Sequence, residues 1–423
     1  MAIKRPRGTA DILPGEVEKW LALENLARRI SRTYGYAEIR TPIFEHTELF
    51  ARSVGDTTDI VEKEMYTFLD KGGRSVTLRP EGTASVARAY IEHGMSSLPQ
   101  PVKLYYIGPF FRHDRPQAGR LRQFHQFGVE VFGTAHARAD AEVIILASEF
   151  FRALGLDDLE ILLNSVGCPV CRADLARRLR EFFRNREREV CATCRARLER
   201  NPLRLLDCKD EKCRELIRTA PTPVDTLCGE CRQHFQQVQD YLRLQGVPYT
   251  LEPCLVRGLD YYTRTAFEFV SPHLGAQNSV GGGGRYDGLV EACGGKPTPG
   301  VGFAIGLERT LLLLETASKD VGVPPSKPFV FVAMAGTTEE VALSVLYRLR
   351  RAGIRAEMDY TGRNLKGQLK HAARLGAPYV VIVGEEEIAR GTVILRDMEV
   401  ARQEEIEIDA LIDRLEKREV KQL

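Results

Sequence analysis

The sequence lacks any apolar run that approaches the roughly 18 residues a bilayer-spanning helix needs. It also lacks a large excess of one charge, because 60 Lys and Arg residues balance 58 Asp and Glu residues and leave a formal net charge of +2. A nucleic-acid partner would therefore have to be bound through local basic patches. The basic N-terminus has no apolar segment after it, so no secretory signal is predicted. Together these absences predict a cytosolic (cytoplasmic) protein with no membrane partner.

The bulk composition is that of a globular protein with several domains. The chain has 423 residues, of which 43% are hydrophobic and 28% charged, enough for about two to four domains of ordinary size. Apolar periodicity predicts helices at 15–34, 82–93 and 139–154. Near the C-terminus strands alternate with helices, which predicts a small, mainly parallel sheet covered by helices. The predicted organisation is a first core segment at 1–167, a cysteine-rich module at 168–232, a second core segment at 233–317, a linker at 318–328 and an α/β domain at 329–423.

Residues 105–133, YYIGPFFRHDRPQAGRLRQFHQFGVEVFG, predict two strands joined by a polar loop. The loop carries four arginines: Arg112, Arg115, Arg120 and Arg122. A guanidinium group presents a planar fork of donors that matches two oxygens of a phosphate or carboxylate. The loop therefore predicts an anion site, and a solvated hairpin tip is the alternative.

Two segments place polar residues where a ligand can meet them. TLRPEGT at 77–83 puts Glu81 at a strand-to-helix junction, where its carboxylate can receive a ligand amino group or can simply cap the helix. RGLDYYT at 257–263 brings a cation close to two tyrosines. Packing of those tyrosines in the core is the alternative to a pocket.

Two glycine-rich segments follow. GGGGRYDG at 281–288 lets a planar ligand approach the backbone without any Cβ in the way, although a flexible turn is the more common meaning of such a run. GVGFAIGLER at 300–309 leads from glycines into a predicted helix whose first turns carry Glu308 and Arg309.

In combination these segments resemble the class II aminoacyl-tRNA synthetases, and RGLDYYT is similar to the signature of the histidyl-tRNA synthetase family in its bacterial form. Residues 105–133 resemble motif 2 of the class, residues 300–309 resemble motif 3, and motif 1 is assigned to 38–60. The resemblance implies an α/β (α+β) fold. It would comprise an antiparallel-sheet catalytic core, an inserted cysteine-rich module and a C-terminal α/β anticodon-binding domain.

The resemblance also implies a role for each matching residue. Arg112 and Arg257 would be the catalytic cations at the α-phosphate, where negative charge builds during adenylation. ATP would be bound by Arg112, Glu308 and Arg309. Histidine would be bound by Glu81, Thr83, Gln126, Glu130, Tyr261, Tyr262 and Tyr286.

The activity that the resemblance implies is histidine–tRNA ligation. L-Histidine and ATP, with Mg²⁺, would give histidyl-adenylate and pyrophosphate, and histidine would then pass to the 3′ end of its tRNA. A homodimer formed through motif 1 is also implied. One alternative is a non-catalytic paralogue that senses histidine and regulates its biosynthesis, but such proteins lack the C-terminal domain and the catalytic residues. A zinc-dependent RNA-binding protein with an inactive core meets the same objection.

Eight of the ten cysteines form four closely spaced pairs: Cys168 and Cys171, Cys191 and Cys194, Cys208 and Cys213, and Cys228 and Cys231. They can form two structural Cys₄ zinc sites, and free or partly oxidised thiols are the alternative. Basic residues outnumber acidic ones in 168–232, which predicts contact of this module with the tRNA acceptor arm. The remaining Cys254 and Cys293 are predicted to be small buried hydrophobic residues.

A helical pattern in the C-terminal domain places four basic residues on one face: Arg363, Lys366, Lys370 and Arg374. A solvated stripe is one interpretation of this face. Contact with the backbone of the anticodon stem is the other.

Overall fold

A computed structural model of the chain describes residues 3–55, 58, 60–117, 119–208, 210–274, 278–319, 321 and 329–419. The chain divides into two compact units, Met1–Val323 and Pro324–Leu423. Most of the predicted linker, residues 322–328, lies outside the described residues, as do residues 56, 57 and 59 of the predicted motif 1. None of the described helices has both the length and the apolar character needed to cross a bilayer.

The first unit is built on an eight-stranded sheet. Neighbouring strands run antiparallel except for the outermost pair at each edge, which is parallel. The predicted antiparallel core is therefore confirmed. In spatial order the strands are Ala37–Glu38, Val102–Phe111, Gln123–Phe132, Gly300–Gly306, Ser279–Arg285, Thr263–Val270, Glu160–Ser165 and Thr250–Leu251.

The predicted hairpin forms the second and third strands of this sheet. Val102–Phe111 pairs with Gln123–Phe132 along ten residues, with Val102 opposite Phe132 and Phe111 opposite Gln123. The strand continues through Gly108-Pro109 because Pro109 lies beyond the two residues that pair with Ala37–Glu38 on the outer side, where a missing N–H costs no ladder hydrogen bond. One side of the sheet is covered by the helices Val17–Thr33 and Ala137–Ala153, which bury apolar side chains against it.

Smaller elements complete the core. A three-stranded antiparallel sheet has the order Phe44–His46, Ser75–Leu78 and Tyr66–Leu69. The predicted helix at 82–93 is confirmed as Thr83–Glu92. The other helical segments are Thr47–Val54, Ile60–Glu64, Met95–Ser97, Pro272–Leu274, Leu289–Ala292 and Leu307–Thr316.

The cysteine-rich region is helical and belongs to the first compact unit. Its cluster of buried residues is small and includes Leu175, Leu179, Phe183, Leu205 and Ile217. Its helices are Pro169–Phe183, Ala192–Arg200, Pro202–Leu205, Glu211–Ile217, Pro223–Thr226 and Gly229–Leu244. Cys254 and Cys293 are only half-buried, although each packs against apolar neighbours.

The second unit contains a five-stranded sheet in the order Ala356–Met358, Val330–Ala335, Tyr379–Gly384, Thr392–Asp397 and Gln403–Glu407. The expectation of a mainly parallel sheet is wrong, because the last two pairings are antiparallel. The connections that lead to these strands are too short for a parallel crossover. The helical segments are Glu339–Arg351, Leu365–Leu375, Glu385–Ala389, Ile408–Ala410 and Leu411–Glu419.

Candidate active site

The described residues line an open cavity of ≈ 460 Å³ above the central strands. Nine of the eleven residues that were assigned to catalysis or ligand binding line it: Glu81, Thr83, Arg112, Gln126, Arg257, Tyr261, Tyr262, Glu308 and Arg309. The two others, Glu130 and Tyr286, lie behind the cavity wall. The tertiary structure thus gathers residues that are more than 200 positions apart in sequence.

Glu81 occupies the junction that leads into the helix Thr83–Glu92. Its carboxylate accepts hydrogen bonds from the backbone N–H groups of Thr83 and Ala84, both at 2.8 Å. Burial raises the pKa of Glu81 above its ordinary value. The two hydrogen bonds favour the charged carboxylate and act in the opposite direction, but burial has the larger effect. Glu81 therefore caps the helix and also presents its carboxylate to the cavity, so the two interpretations of this residue are compatible.

Glu130 lies at the centre of a buried network beneath the cavity. Its carboxyl group accepts hydrogen bonds from Thr83 Oγ1 at 2.7 Å, from Tyr106 at 3.3 Å and from the hydroxyl of Tyr286. Burial raises the pKa of Glu130 to about 8 against the effect of these hydrogen bonds. Gly302 is required beside it, because a Cβ there would lie 2.1 Å from Glu130 Oε2.

Replacing Glu130 with glutamine should make the stability of the protein less dependent on pH between about 4.5 and about 8. The pKa of Glu130 is raised from 4.5 to about 8 on folding. Its contribution is therefore fully present below pH 4.5 and is lost as pH rises through about 8. Between these values the free energy of unfolding of the wild type should fall by up to about 1.4 kcal/mol per pH unit from this group alone.

Thermal unfolding from pH 5 to 9 measures this difference. The curve of Glu130→Gln should be flatter than that of the wild type, whereas Glu92→Gln, an exposed control, should follow the wild type. Parallel curves for Glu130→Gln and the wild type would contradict the assigned protonation of Glu130.

The arginine-rich loop contributes two of its four arginines to the cavity. Arg112 is held by a hydrogen bond from Nε to the carbonyl of Pro80 at 2.8 Å, and its guanidinium lies over the Phe124 ring. Arg120 also lines the cavity and pairs with Asp114. Arg115 is exposed, and Arg122 donates from Nε to the carbonyl of Asp114 at 3.2 Å. Local sequence could not separate these roles.

Arg257 reaches the cavity from the RGLDYYT segment. Its NH1 is 2.6 Å from Glu268 Oε1, a cavity-lining carboxylate that sequence reasoning missed. Burial opposes its charge, but Glu268 and the neighbouring tyrosines together hold the pKa of Arg257 above its ordinary value. A Cβ on residue 282 would lie 2.9 Å from Arg257 NH1, so the second glycine of the run makes room for the guanidinium.

Arg309 and Glu308, from the segment that resembles motif 3, are each held by hydrogen bonds to neighbouring residues. Arg309 donates from Nε to the carbonyl of Gly119 at 3.1 Å and from NH1 to the carbonyl of Ser279. Both carboxylate oxygens of Glu308 accept from the backbone N–H of His125 at 2.9 Å. Glu308 thus lines the cavity while fixing the strand Gln123–Phe132.

Arg285, in the glycine-rich segment, is a structural residue that sequence reasoning missed. It is fully buried and donates to Asp140, Asp287 and the carbonyl of Thr134. Asp140, also fully buried, has its pKa lowered to about 2, because Arg285 and His234 outweigh the effect of burial. This pair fixes the backbone next to Tyr286.

The eight paired cysteines converge on two clusters, Cys168/Cys171/Cys228/Cys231 and Cys191/Cys194/Cys208/Cys213. Within each cluster all sulfur atoms lie within 4.8 Å of one another. The distances Cys168 Sγ–Cys171 Sγ of 3.5 Å and Cys191 Sγ–Cys208 Sγ of 3.9 Å bracket the edge of about 3.8 Å of a tetrahedron with Zn–S bonds of about 2.3 Å. They are far longer than a disulfide bond. The donor sets therefore fit tetrahedral metal ions.

An antiparallel sheet with a motif 2 hairpin beside its ligand cavity and a motif 3 helix is the architecture of a class II aminoacyl-tRNA synthetase. A sequence model described as histidyl-tRNA synthetase matches residues 8–310, and one described as anticodon binding domain matches residues 323–418. The chain belongs to the histidyl-tRNA synthetase family.

Curated relatives and a solved structure agree with this assignment. The chain is 62% identical to a histidine–tRNA ligase from Desulforudis audaxviator over 98% of this chain and 99% of that protein. It is 57% identical to one from Pelotomaculum thermopropionicum over 98% of both chains. The structure of apo histidyl-tRNA synthetase from S. aureus superposes with a TM-score of 0.84 at 41% identity, covering 98% of this chain and 100% of that one.

Proposed function

We propose that the cavity performs both steps of a histidine–tRNA ligase, with histidine and ATP bound side by side. The observation that carries this assignment is a pair of buried polar atoms at the cavity, Gln126 Oε1 and Arg257 Nε. Neither has a hydrogen-bond partner among the described residues. A buried polar group without a hydrogen-bond partner costs free energy. These two atoms therefore indicate a ligand that supplies the missing hydrogen bonds. A histidine-sensing paralogue is not favoured, because close relatives over the full length are ligases.

In the proposed first step, a carboxylate oxygen of histidine attacks the α-phosphorus of ATP. A P–O bond forms, the bond to the β-phosphate oxygen breaks, and pyrophosphate leaves. Arg112 and Arg257 stabilise the negative charge that builds on the α-phosphate oxygens, and Arg309 binds the γ-phosphate. In the second step, a ribose hydroxyl at the tRNA 3′ end attacks the acyl carbon and AMP leaves.

The histidine itself is assigned to the side of the cavity that is lined by carboxyl and phenol groups. Glu81 and Thr83 face its amino group, and Gln126 supplies an unpartnered acceptor. Tyr261 and Tyr262 border the imidazole, while Glu130 and Tyr286 support it from behind the wall. At neutral pH Glu130 keeps its proton, so the network beneath the imidazole remains uncharged.

Amino-acid-dependent ATP–pyrophosphate exchange tests the proposed function, with each amino acid supplied in turn. Exchange with histidine alone is the expected result. Histidine binding without exchange would indicate a sensor. Exchange with a different amino acid would mean that the pocket residues are wrongly assigned.

Two kinds of metal ion belong to the proposal. Mg²⁺ would neutralise the phosphates of ATP and would be held chiefly by them, since the Glu308 carboxylate is engaged by His125. Zn²⁺ would occupy the two cysteine clusters in a structural role, because a Cys₄ shell has no open position. Metal analysis of the purified protein should find two zinc ions per chain, and zinc-free active protein would contradict the second assignment.

The C-terminal unit is proposed to bind the anticodon arm of histidine tRNA. Lys366, Lys370 and Arg374 are exposed on the helix Leu365–Leu375, whereas Arg363 precedes the helix and pairs with Asp359. The double replacement Lys366→Glu and Lys370→Glu should weaken tRNA binding. It should also reduce the slope of log affinity against log salt by about 1 per lost phosphate contact.

Filter binding over a range of salt concentrations measures both effects of the lysine replacements. Arg351→Glu combined with Lys417→Glu, on two other helices of the same unit, makes the same change in net charge and serves as the control. An unchanged affinity and slope in the lysine variant would remove these contacts from the proposal.

A homodimer in the cytoplasm is proposed, with the three-stranded sheet at its interface. The strand register places Phe44 and Phe68 on one face of that sheet, where they are 57% and 48% exposed. Replacing both with aspartate should convert dimer to monomer in analytical ultracentrifugation, because the interface would then have to bury two carboxylates in place of the two rings. Lys71→Asp serves as a control outside the strands, and a dimeric double variant would move the interface elsewhere.

A further inference from the structure

Asp260 lies on the outer side of the segment that carries Arg257, Tyr261 and Tyr262. Those three side chains line the ligand cavity, whereas Asp260 does not. The Asp260 side chain instead faces the cysteine-rich region. Asn201 Nδ2 donates to its Oδ1 at 3.1 Å, and Arg204 donates to the same oxygen from Nε at 3.3 Å and from NH2 at 3.1 Å.

The backbone of the same segment is held by two arginines of the cysteine-rich region. Arg172 NH1 donates to the carbonyls of Asp260 and Tyr262, each at 3.2 Å. Arg204 NH2 donates to the carbonyl of Gly258 at 2.8 Å. Arg172, Asn201 and Arg204 thus form a polar clamp on the back of the segment.

The catalytic core closes the opposite side of this clamp. The backbone N–H of Asp260 donates to the carbonyl of Val54 at 3.1 Å. Gly55 follows with a φ of +101°, and a Cβ there would lie 2.6 Å from Asp260 Oδ2. The segment is therefore wedged between the end of the helix Thr47–Val54 and the clamp.

Each cysteine cluster supports one part of the clamp. Arg172 follows Cys171 directly in the first cluster. Asn201 and Arg204 lie in the stretch that the second cluster closes between Cys194 and Cys208. The apolar core of this region is small, and regions with small cores depend on cross-links such as a bound metal for a fixed conformation.

We infer that the cysteine-rich region positions the adenylation site, and that metal held by its two clusters keeps the clamp closed on Asp260. Arg172, Asn201 and Arg204 are then positioning residues that act through Asp260 on Arg257, Tyr261 and Tyr262. This inference rests on the proposed function, because the property it explains is the geometry of adenylation. Loss of metal from the second cluster would release Asn201 and Arg204 and lower activity while the catalytic sheet remains folded.

Replacement of Arg204 with methionine tests the clamp in the full-length, metal-loaded protein. We expect kcat for histidine-dependent pyrophosphate exchange to fall about 10- to 100-fold, since small displacements of catalytic groups have effects of this size. The KM for ATP and the zinc content should change little. Arg204→Lys should restore part of the rate, because it keeps a cation within reach of Asp260.

Arg180→Met is the matched control. Arg180 lies in the same region and donates to the carbonyls of Leu198 and Glu199; among the described residues, its side-chain hydrogen bonds do not include the Asp260 segment. It should leave exchange unchanged. Equal loss of activity in the Arg180 and Arg204 variants, or full activity of Arg204→Met, would overturn the positioning role.

Chelation tests the link to metal. Removing zinc from the wild type should lower exchange at least to the level of Arg204→Met, because chelation also empties the first cluster, which supports Arg172, and zinc should restore it. Chelation of Arg204→Met should lower exchange no further than chelation of the wild type does, because both changes release the same clamp. Additive losses would overturn the link, as would full activity of zinc-free wild type.

Hydrogen exchange gives a readout that does not depend on activity. Residues 257–263 should lose protection in Arg204→Met and after chelation, while the helix Val17–Thr33 stays protected. Unchanged protection at 257–263 would contradict the clamp. Failure of the wild type to exchange pyrophosphate with histidine would instead contradict the proposed function, so the two failures are distinguishable.

Discussion

Replacing Arg257 with alanine should lower the rate of histidine-dependent ATP–pyrophosphate exchange by about 10²–10³-fold. The guanidinium lies at the cavity wall, and its Nε has no partner among the described residues. Glu268 holds it in place at 2.6 Å and favours its charged form. The interaction of the Arg257 guanidinium with the α-phosphate strengthens as negative charge builds there. The loss of activity should therefore appear mainly in kcat and less in the KM for histidine.

Two further variants separate this catalytic effect from indirect ones. Arg257→Ala leaves the Glu268 carboxylate without its cation, and adding Glu268→Gln to the variant removes that charge. If the double variant regained wild-type exchange, the stranded carboxylate rather than the lost cation would be responsible. Arg264→Ala, on the neighbouring strand and away from the cavity lining, should keep near-normal exchange. An exchange rate of Arg257→Ala within threefold of the wild-type rate would exclude a catalytic role for Arg257.

Replacing Asp140 with asparagine should destabilise the first unit by about 3–5 kcal/mol, the usual cost of leaving one member of a buried ion pair without its partner. Asp140 and Arg285 are both 0% exposed. Arg285 Nε lies 3.1 Å from each Asp140 oxygen. Asparagine keeps the shape but not the charge, so the Arg285 guanidinium would remain buried with less compensation. Urea unfolding followed by circular dichroism measures the loss.

The ion pair can be tested by removing both partners together. Asp140→Asn with Arg285→Met should recover much of the lost stability, because an uncharged pair avoids the stranded cation. Asp158→Asn removes an exposed partner of His273 and should cost at most about 1 kcal/mol. Equal effects of the Asp140 and Asp158 variants would contradict the special role of the buried pair.

The buried pair also has a defined pH dependence. The pKa of Asp140 is lowered from 3.8 to about 2 on folding. Its contribution to stability is therefore fully present above pH 3.8 and is lost as pH falls through about 2. The stability difference between the wild type and Asp140→Asn should narrow over that interval.

Much of the local structure could be predicted from sequence because it depends on periodicity and short-range chemistry. The helix expected at 15–34 forms as Val17–Thr33, with Trp20, Leu23 and Ala27 buried on one face. The hairpin around the arginine-rich loop forms with a continuous register. The C-terminal sheet was predicted less well, since strand direction depends on the connections and not on the composition of each strand.

The pattern of the chain determined its family resemblance, the helices and strands of its core, and the residue types available for a site. The tertiary structure decided which of these residues meet. It separated Arg112 and Arg120 at the cavity from exposed Arg115, and it joined the first cysteine pair to the last one. It also paired Arg285 with Asp140, which is 145 positions away. Sequence could not reveal these contacts, because they are formed between distant elements whose packing is fixed only when the whole sheet and its covering helices assemble.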